Sequence, residues 1–163
     1  MAAEKTLNDL FLDTLKDIFY AEKQILKALP KMARGADSPE LAAAFKKHRD
    51  ETEVHVERLQ QIFEILDKPA RGKTCDAILG IIEEGKEILE EYDGTVALDA
   101  GLTAAAQAVE HYEIARYGTL KSWATTLGMT DVAELLDQTL QEEINTDKAL
   151  TELGEGRVNT QAA

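Results

Sequence analysis

The chain has 163 residues, 31 of them acidic and 18 basic, for a formal charge of −13. That length supports a single domain over residues 1–163 with a core that needs no disulfide, and the lone cysteine, Cys75, can form no internal bridge. The acidity excludes phosphate neutralisation as a route to nucleic-acid binding. No apolar run reaches the roughly 20 residues of a membrane span and no basic-flanked apolar leader opens the chain, so a soluble, cytoplasmic protein is expected.

Only three prolines, abundant Ala, Leu, Glu and Lys, and no period-two alternation predict an all-α fold. The first helix should run from about Leu7 to the neighbourhood of Ala33. Phe11, Leu15, Ile18, Glu22, Ile25, Leu29 and Met32 form its stripe in four-three steps, Glu22 being the only acid. Pro30 removes a backbone donor from its last turns. After Gly35, Ser38-Pro39-Glu40 supplies a capping hydroxyl, a proline at the first helical position and an acid at the positive end of the dipole. The second helix then carries Leu41, Phe45, His48, Thr52, His55, Leu59, Ile62 and Leu66 on one seam, with Glu51 beside it, and ends before Pro69.

Between Pro69 and about Gly94 a stripe of Ile78, Ile81, Ile82, Gly85, Ile88 and Leu89 predicts a short extra helix with Thr74 as its cap. A connection this long can cross the length of a bundle. The third long helix, from about Val96 or Leu98 to Leu127, points Leu102, Ala106, Val109, Glu113, Leu120 and Ala124 inward, with Glu110 and Tyr117 on the adjoining strip. Gly128 ends it and Thr130-Asp131 caps the fourth. That helix runs to about Leu153 on a stripe of Val132, Leu136, Leu140, Glu143, Asp147 and Leu150; the polar residues 154–163 read as a flexible tail beyond an ordered core of about 7–153. The chain thus reads as two antiparallel helical hairpins joined by a long crossover.

Acids on core seams are costly unless paired or bound to a cation. Because each helical residue rises about 1.5 Å, residues equidistant from a hairpin turn lie level. The midpoint of Glu22 and Glu51 falls between Ala36 and Asp37, and that of Glu113 and Glu143 on Gly128, so both pairs should meet. Glu51/His55 and Glu143/Asp147, each spaced i, i+4, add a second donor one turn along. One imidazole and several carboxylates from four helices suit iron or manganese, with capacity for two ions. Of Glu110 and Glu113, both inward, one can bind while the other supports it or shifts with metal charge. His48 is read as a hydrogen-bond donor or a bundle-edge residue, with metal contact as the lesser alternative, and Tyr20, Tyr112 and Tyr117 as core residues flanking the ligand level.

Phe19-Tyr20-Ala21-Glu22-Lys23-Gln24, Leu29-Pro30-Lys31-Met32, Glu51-Thr52 with His55-Val56-Glu57-Arg58-Leu59, Val109-Glu110-His111-Tyr112-Glu113 and Thr146-Asp147 resemble the bacterial YciE/YciF family over nearly the whole chain. The resemblance implies a ferritin-like fold related to rubrerythrins and bacterioferritins, a role in stress response and a homodimer. By position it implies metal ligation by Glu22, Glu51, His55, Glu110, Glu113, Glu143 and Asp147. The i, i+4 spacing and Asp147 depart from the usual ferritin-like Glu followed by His at i+3, which bears on the ion rather than on the fold. The level set of acids leads to the expectation of a di-metal protein, of iron or manganese, that handles peroxide or oxidises ferrous iron; the alternative is a structural bundle whose metal site is vestigial or stabilising.

Overall fold

A computed structural model describes residues 3–163, and among these the regular structure is entirely helical. α1 (Leu7–Gly35) starts at a reciprocal cap in which the Thr6 hydroxyl accepts from the Asp9 amide while the Asp9 carboxylate accepts from the Thr6 amide at 2.8 Å. It continues through Pro30 to Gly35. α2 (Pro39–Ile65) opens as expected, with the Leu41 amide donating to Ser38 Oγ at 3.3 Å and Pro39 at the first helical position. The three-residue turn between them is held from outside by Asp99, whose carboxylate accepts from the amides of Asp37 at 2.8 Å and Ser38 at 2.7 Å.

After α2 the chain runs along α1. The Lys73 amide donates to the Lys16 carbonyl at 3.0 Å, and a Cβ on Gly72 would sit 3.0 Å from that of Tyr20, so only glycine allows this approach without displacement. α3 (Asp76–Glu91) is capped by Cys75 rather than by Thr74: the Ile78 amide donates to Cys75 Sγ at 3.4 Å. The thiol, buried and 3.0 Å from the Tyr112 hydroxyl, is anchored where exposed Thr74 is not.

α4 (Leu98–Thr126) and α5 (Thr130–Leu153) are joined by three residues in which Gly128 takes φ of 74° and the Met129 amide returns to the Ala124 carbonyl. Thr130 is the first residue of α5, not its cap, and its start has no side-chain cap. Nor does the chain turn into an unstructured tail at Gly154. A π-helical turn (Gly154–Val158) and α6 (Asn159–Ala162) extend α5; Gly154 and Val158 are buried and Arg157 pairs with Glu40 at 2.9 Å. A polar tail can order when one apolar residue finds a packed site, and Val158 does so.

α1 packs on α2 and α4, α5 packs on the same two helices, and α3 lies against α4 and α1. Along α1, apolar layers stand on both sides of Glu22: Phe11, Leu15 and Ile18 before it, Ile25 and Leu29 after it, all buried. Phe19 and Phe63 meet edge to face with ring centres 5.4 Å apart. Each such side chain contributes about 1.5–3 kcal/mol by burial. The apolar layers therefore carry the folding free energy against the cost of the polar layer between them.

Candidate metal centre

The polar layer is assembled from four helices. α1 gives Glu22, α2 His48 and His55, α4 Glu110 and Glu113, and α5 Glu143; each is at most 5 % exposed. Two constellations result. Ligand atoms of His48, Glu110, Glu113 and Glu143 all lie within 4.8 Å of one another, as do those of Glu22, His55 and Glu143. Since metal–oxygen and metal–nitrogen bonds are about 2.0–2.2 Å, opposite ligands of one ion stand about 4–4.5 Å apart, and each group has the size of a coordination shell. Glu143 belongs to both.

The decisive feature is what these atoms lack. Ten buried side-chain nitrogen and oxygen atoms have no hydrogen-bond partner among the described residues, and all ten belong to Glu22, His48, His55, Glu110, Glu113 and Glu143. Buried polar groups are otherwise almost always satisfied, at a cost of about 1–3 kcal/mol for each that is not. His48 Nε2 stands 2.7 Å from Glu110 Oε1 and His55 Nδ1 2.8 Å from Glu143 Oε1, yet neither contact has the direction of a hydrogen bond. Lone pairs converging on shared points rather than on protons are the arrangement that a cation satisfies. These residues fit a metal ion, and the carboxylate-rich donor set is a hard-to-borderline one.

Protons manage the crowding of charge in the absence of a cation. Burial pushes Glu110 and Glu113 well above the usual carboxylate range, and the negative charge of Glu143 pushes them further. Burial opposes the charge on Glu143 too, but Glu110 and His55, which lie against it, favour its charged form and hold it down at about 2. His55 would be neutralised by burial alone; Glu143 and Glu22 outweigh that and raise it to about 11. Burial thus favours the neutral acid at Glu110 and Glu113, while Glu143 and His55 favour each other's charged form.

Three further side chains hold the ligands in place. His55 Nε2 meets Glu142 Oε2 at 2.7 Å, and Arg58 grips both oxygens of that carboxylate at 3.1 Å while donating to Thr139 at 2.7 Å. Burial works against the Glu142 charge, but Arg58 and His55 keep its carboxyl below the usual range. Because an ionised Glu142 only accepts, it claims the Nε2 hydrogen and turns Nδ1 toward Glu22 and Glu143. On the opposite side, the hydroxyl of fully buried Tyr117 donates to Glu22 Oε1 at 2.6 Å.

Five of the seven sequence-derived ligands, Glu22, His55, Glu110, Glu113 and Glu143, converge in these groups. Glu51 and Asp147 lie outside them. Glu51, 28 % exposed, accepts from Thr146 at 3.3 Å; Asp147, 20 % exposed, accepts from Gln107 at 3.2 Å and faces His111 at 3.1 Å. Opposite Glu22 stands His55, at 3.6 Å, one turn beyond the Glu51 that equal spacing had placed there. His48 moves from the bundle edge into a ligand group. Its position on the α2 seam was the available signal, whereas helical periodicity does not single out Glu142 and Arg58, which sit off the seams among charged neighbours.

The model of a family described as a domain of unknown function, DUF892, matches residues 6–163. The chain belongs to this family. It is 43 % identical over 159 residues to Protein YciF of Escherichia coli strain K12, an alignment that covers 97 % of this chain and 96 % of that protein. The crystal structure of the E. coli stress protein YciF superposes with a TM-score of 0.91, 43 % identity and coverage of 96 % and 99 % of the two chains. YcfI of Rhodopseudomonas palustris, described as a candidate structural protein, gives a TM-score of 0.88 at 46 % identity, over 90 % of this chain and 94 % of that one. The family resemblance read from the motifs thus holds over the helical fold. No helix among the described residues is long and apolar enough to cross a membrane.

Proposed function

We propose that this member of the DUF892 family is a ferritin-like four-helix bundle, two antiparallel hairpins joined by the α3 crossover, that holds two divalent ions, iron or manganese, and handles peroxide or oxygen in the bacterial stress response. The observation that carries it is the pair of ligand groups sharing Glu143, together with the ten unpartnered buried atoms concentrated there. Two-metal sites hold their ions about 3.5–4 Å apart, and Glu143, common to both groups, would serve both. The stress role is supported by the description of YciF, a relative at 43 % identity.

Bound as a ferrous pair, the metal would supply the two electrons that reduce one peroxide to two waters. The chain contributes position: Glu142 and Arg58 orient His55 and Tyr117 orients Glu22, while Glu110 and Glu113 release their protons to solvent on metal loading and the two protons of the reduction would be drawn from water. Elemental analysis of protein purified without chelator is the test. About two iron or manganese atoms per chain, lost in Glu143→Ala, are expected. No uptake after anaerobic reconstitution with Fe²⁺ would overturn the reading.

The second reading, a structural bundle in which metal only stabilises, is favoured by the description of YcfI. Bound metal would then raise stability by mass action without turnover. Peroxide consumption by the iron-loaded protein in the presence of a reductant separates the two.

A further inference from the structure

A cavity of about 320 Å³ lies between α1, α3 and α4, at the lower end of the size range of small-molecule sites. Its walls are apolar, from Ile25, Leu29 and Met32 on α1, Ile81 and Ile82 on α3 and Val109 on α4. Ala28, Gly85, Ala105 and Ala106 leave it open, facing it with almost no side chain.

The two ends differ in charge. At the floor stand His48 and Glu110, 5 % and 1 % exposed, with both ring nitrogens and both carboxylate oxygens unpartnered. The rim carries exposed Lys27, Lys31 and Lys86. Lys86 is tied to Glu83 at 3.2 Å, whereas Lys27 and Lys31 form no ion pair among the described residues. In a chain of charge −13 this is a local excess of cations at the mouth of an apolar channel.

We propose that the cavity binds a single-chain amphiphile with an anionic head, of the medium-chain carboxylate class, its head at Lys27 and Lys31 and its chain reaching His48 and Glu110. The opposite orientation would take the charged head out of water to the buried end of an apolar channel, away from the exposed lysines that can pair with it. The channel is therefore a binding site that opens onto the candidate centre from the α3 side. Only the placement of the chain end beside a metal rests on the proposed function; binding itself does not.

The test uses decanoate, with decanol as a neutral analogue, in calorimetric titrations of the full chain, metal-free and Mn²⁺-loaded. Saturable 1:1 binding of decanoate below its micelle concentration is expected, weakened by salt and at least about fivefold by Lys27→Glu/Lys31→Glu, with decanol unaffected by the double change. Gly85→Phe should abolish binding of both by filling the channel, since a Cβ there meets only Ala105, at 3.8 Å. If Gly85→Phe does not fold by circular dichroism, Ala105→Leu serves the same purpose. In the Mn²⁺-loaded protein, decanoate should alter the manganese electron paramagnetic spectrum.

Absence of saturable binding, or binding insensitive to both the lysine and the cavity-filling variants, would overturn the inference. Metal uptake without decanoate binding would overturn it while sparing the proposed function. Decanoate binding without metal uptake would do the reverse.

Discussion

Tyr117 donates its hydroxyl hydrogen to Glu22 at 2.6 Å, from α4 to α1, with both side chains fully buried. The bond falls on Glu22 Oε1 and Oε2 has no hydrogen-bond partner, so this one bond is what the carboxylate has in exchange for lost water. Tyr117→Phe should destabilise the metal-free protein by about 1–3 kcal/mol, read from urea denaturation. Unchanged stability would show that the bond contributes nothing net.

Glu142→Gln should weaken metal binding by about 10–100-fold while leaving the helical content intact, because an amide no longer dictates which nitrogen of His55 carries the hydrogen. Competition with a chelator of known affinity measures it. An unaltered affinity would mean that packing alone orients the ring.

The two ligand groups predict a split in stoichiometry. His48→Ala should leave about one ion per chain, and Glu143→Ala none, since only Glu143 is common to both groups. Glu51→Gln and Asp147→Asn should each retain two, because these carboxylates point to Thr146 and to Gln107 and His111. Loss of an ion in either variant would show that it swings inward on loading.

Metal uptake at pH 7 should release protons. His55, raised to about 11, and Glu110 and Glu113, raised well above their usual range, hold protons that a cation displaces. Their folded-state values lie above those of the free groups, so the competing protonated form is full at low pH. Affinity should therefore increase as pH rises toward 11 and fall as it drops. Mn²⁺ titrations in buffers of different ionisation enthalpy count the protons released; none released would contradict the charge arrangement.

Much of this molecule was legible in its sequence. The four-three spacing that puts Glu22 among Phe11, Leu15, Ile25 and Leu29 follows from 3.6 residues per turn, a local property, and so do the Ser38 cap and the Gly128 stop. The same periodicity brought Glu110, Glu113 and Glu143 inward. Where the outcome depended on a neighbouring helix, periodicity was not enough. Glu51 and His55 are both compatible with the α2 seam, and only the rotation of α2 against α1 set His55 rather than Glu51 opposite Glu22. His48 became a ligand candidate by the same rotation.

Composition misled at the carboxyl end, where the small and polar residues of 154–163 conceal Val158 and its packing site, and Thr74 looked the better cap until Tyr112, from α4, fixed Cys75. The sequence by itself determined the helices, their buried faces and the presence of acids on those faces, because all three are set by interactions within a few residues. The tertiary structure decided which acids meet, which histidine nitrogen faces them, and that a channel beside α3 stays open. Those depend on distances between side chains far apart in the chain, and helix packing alone sets them.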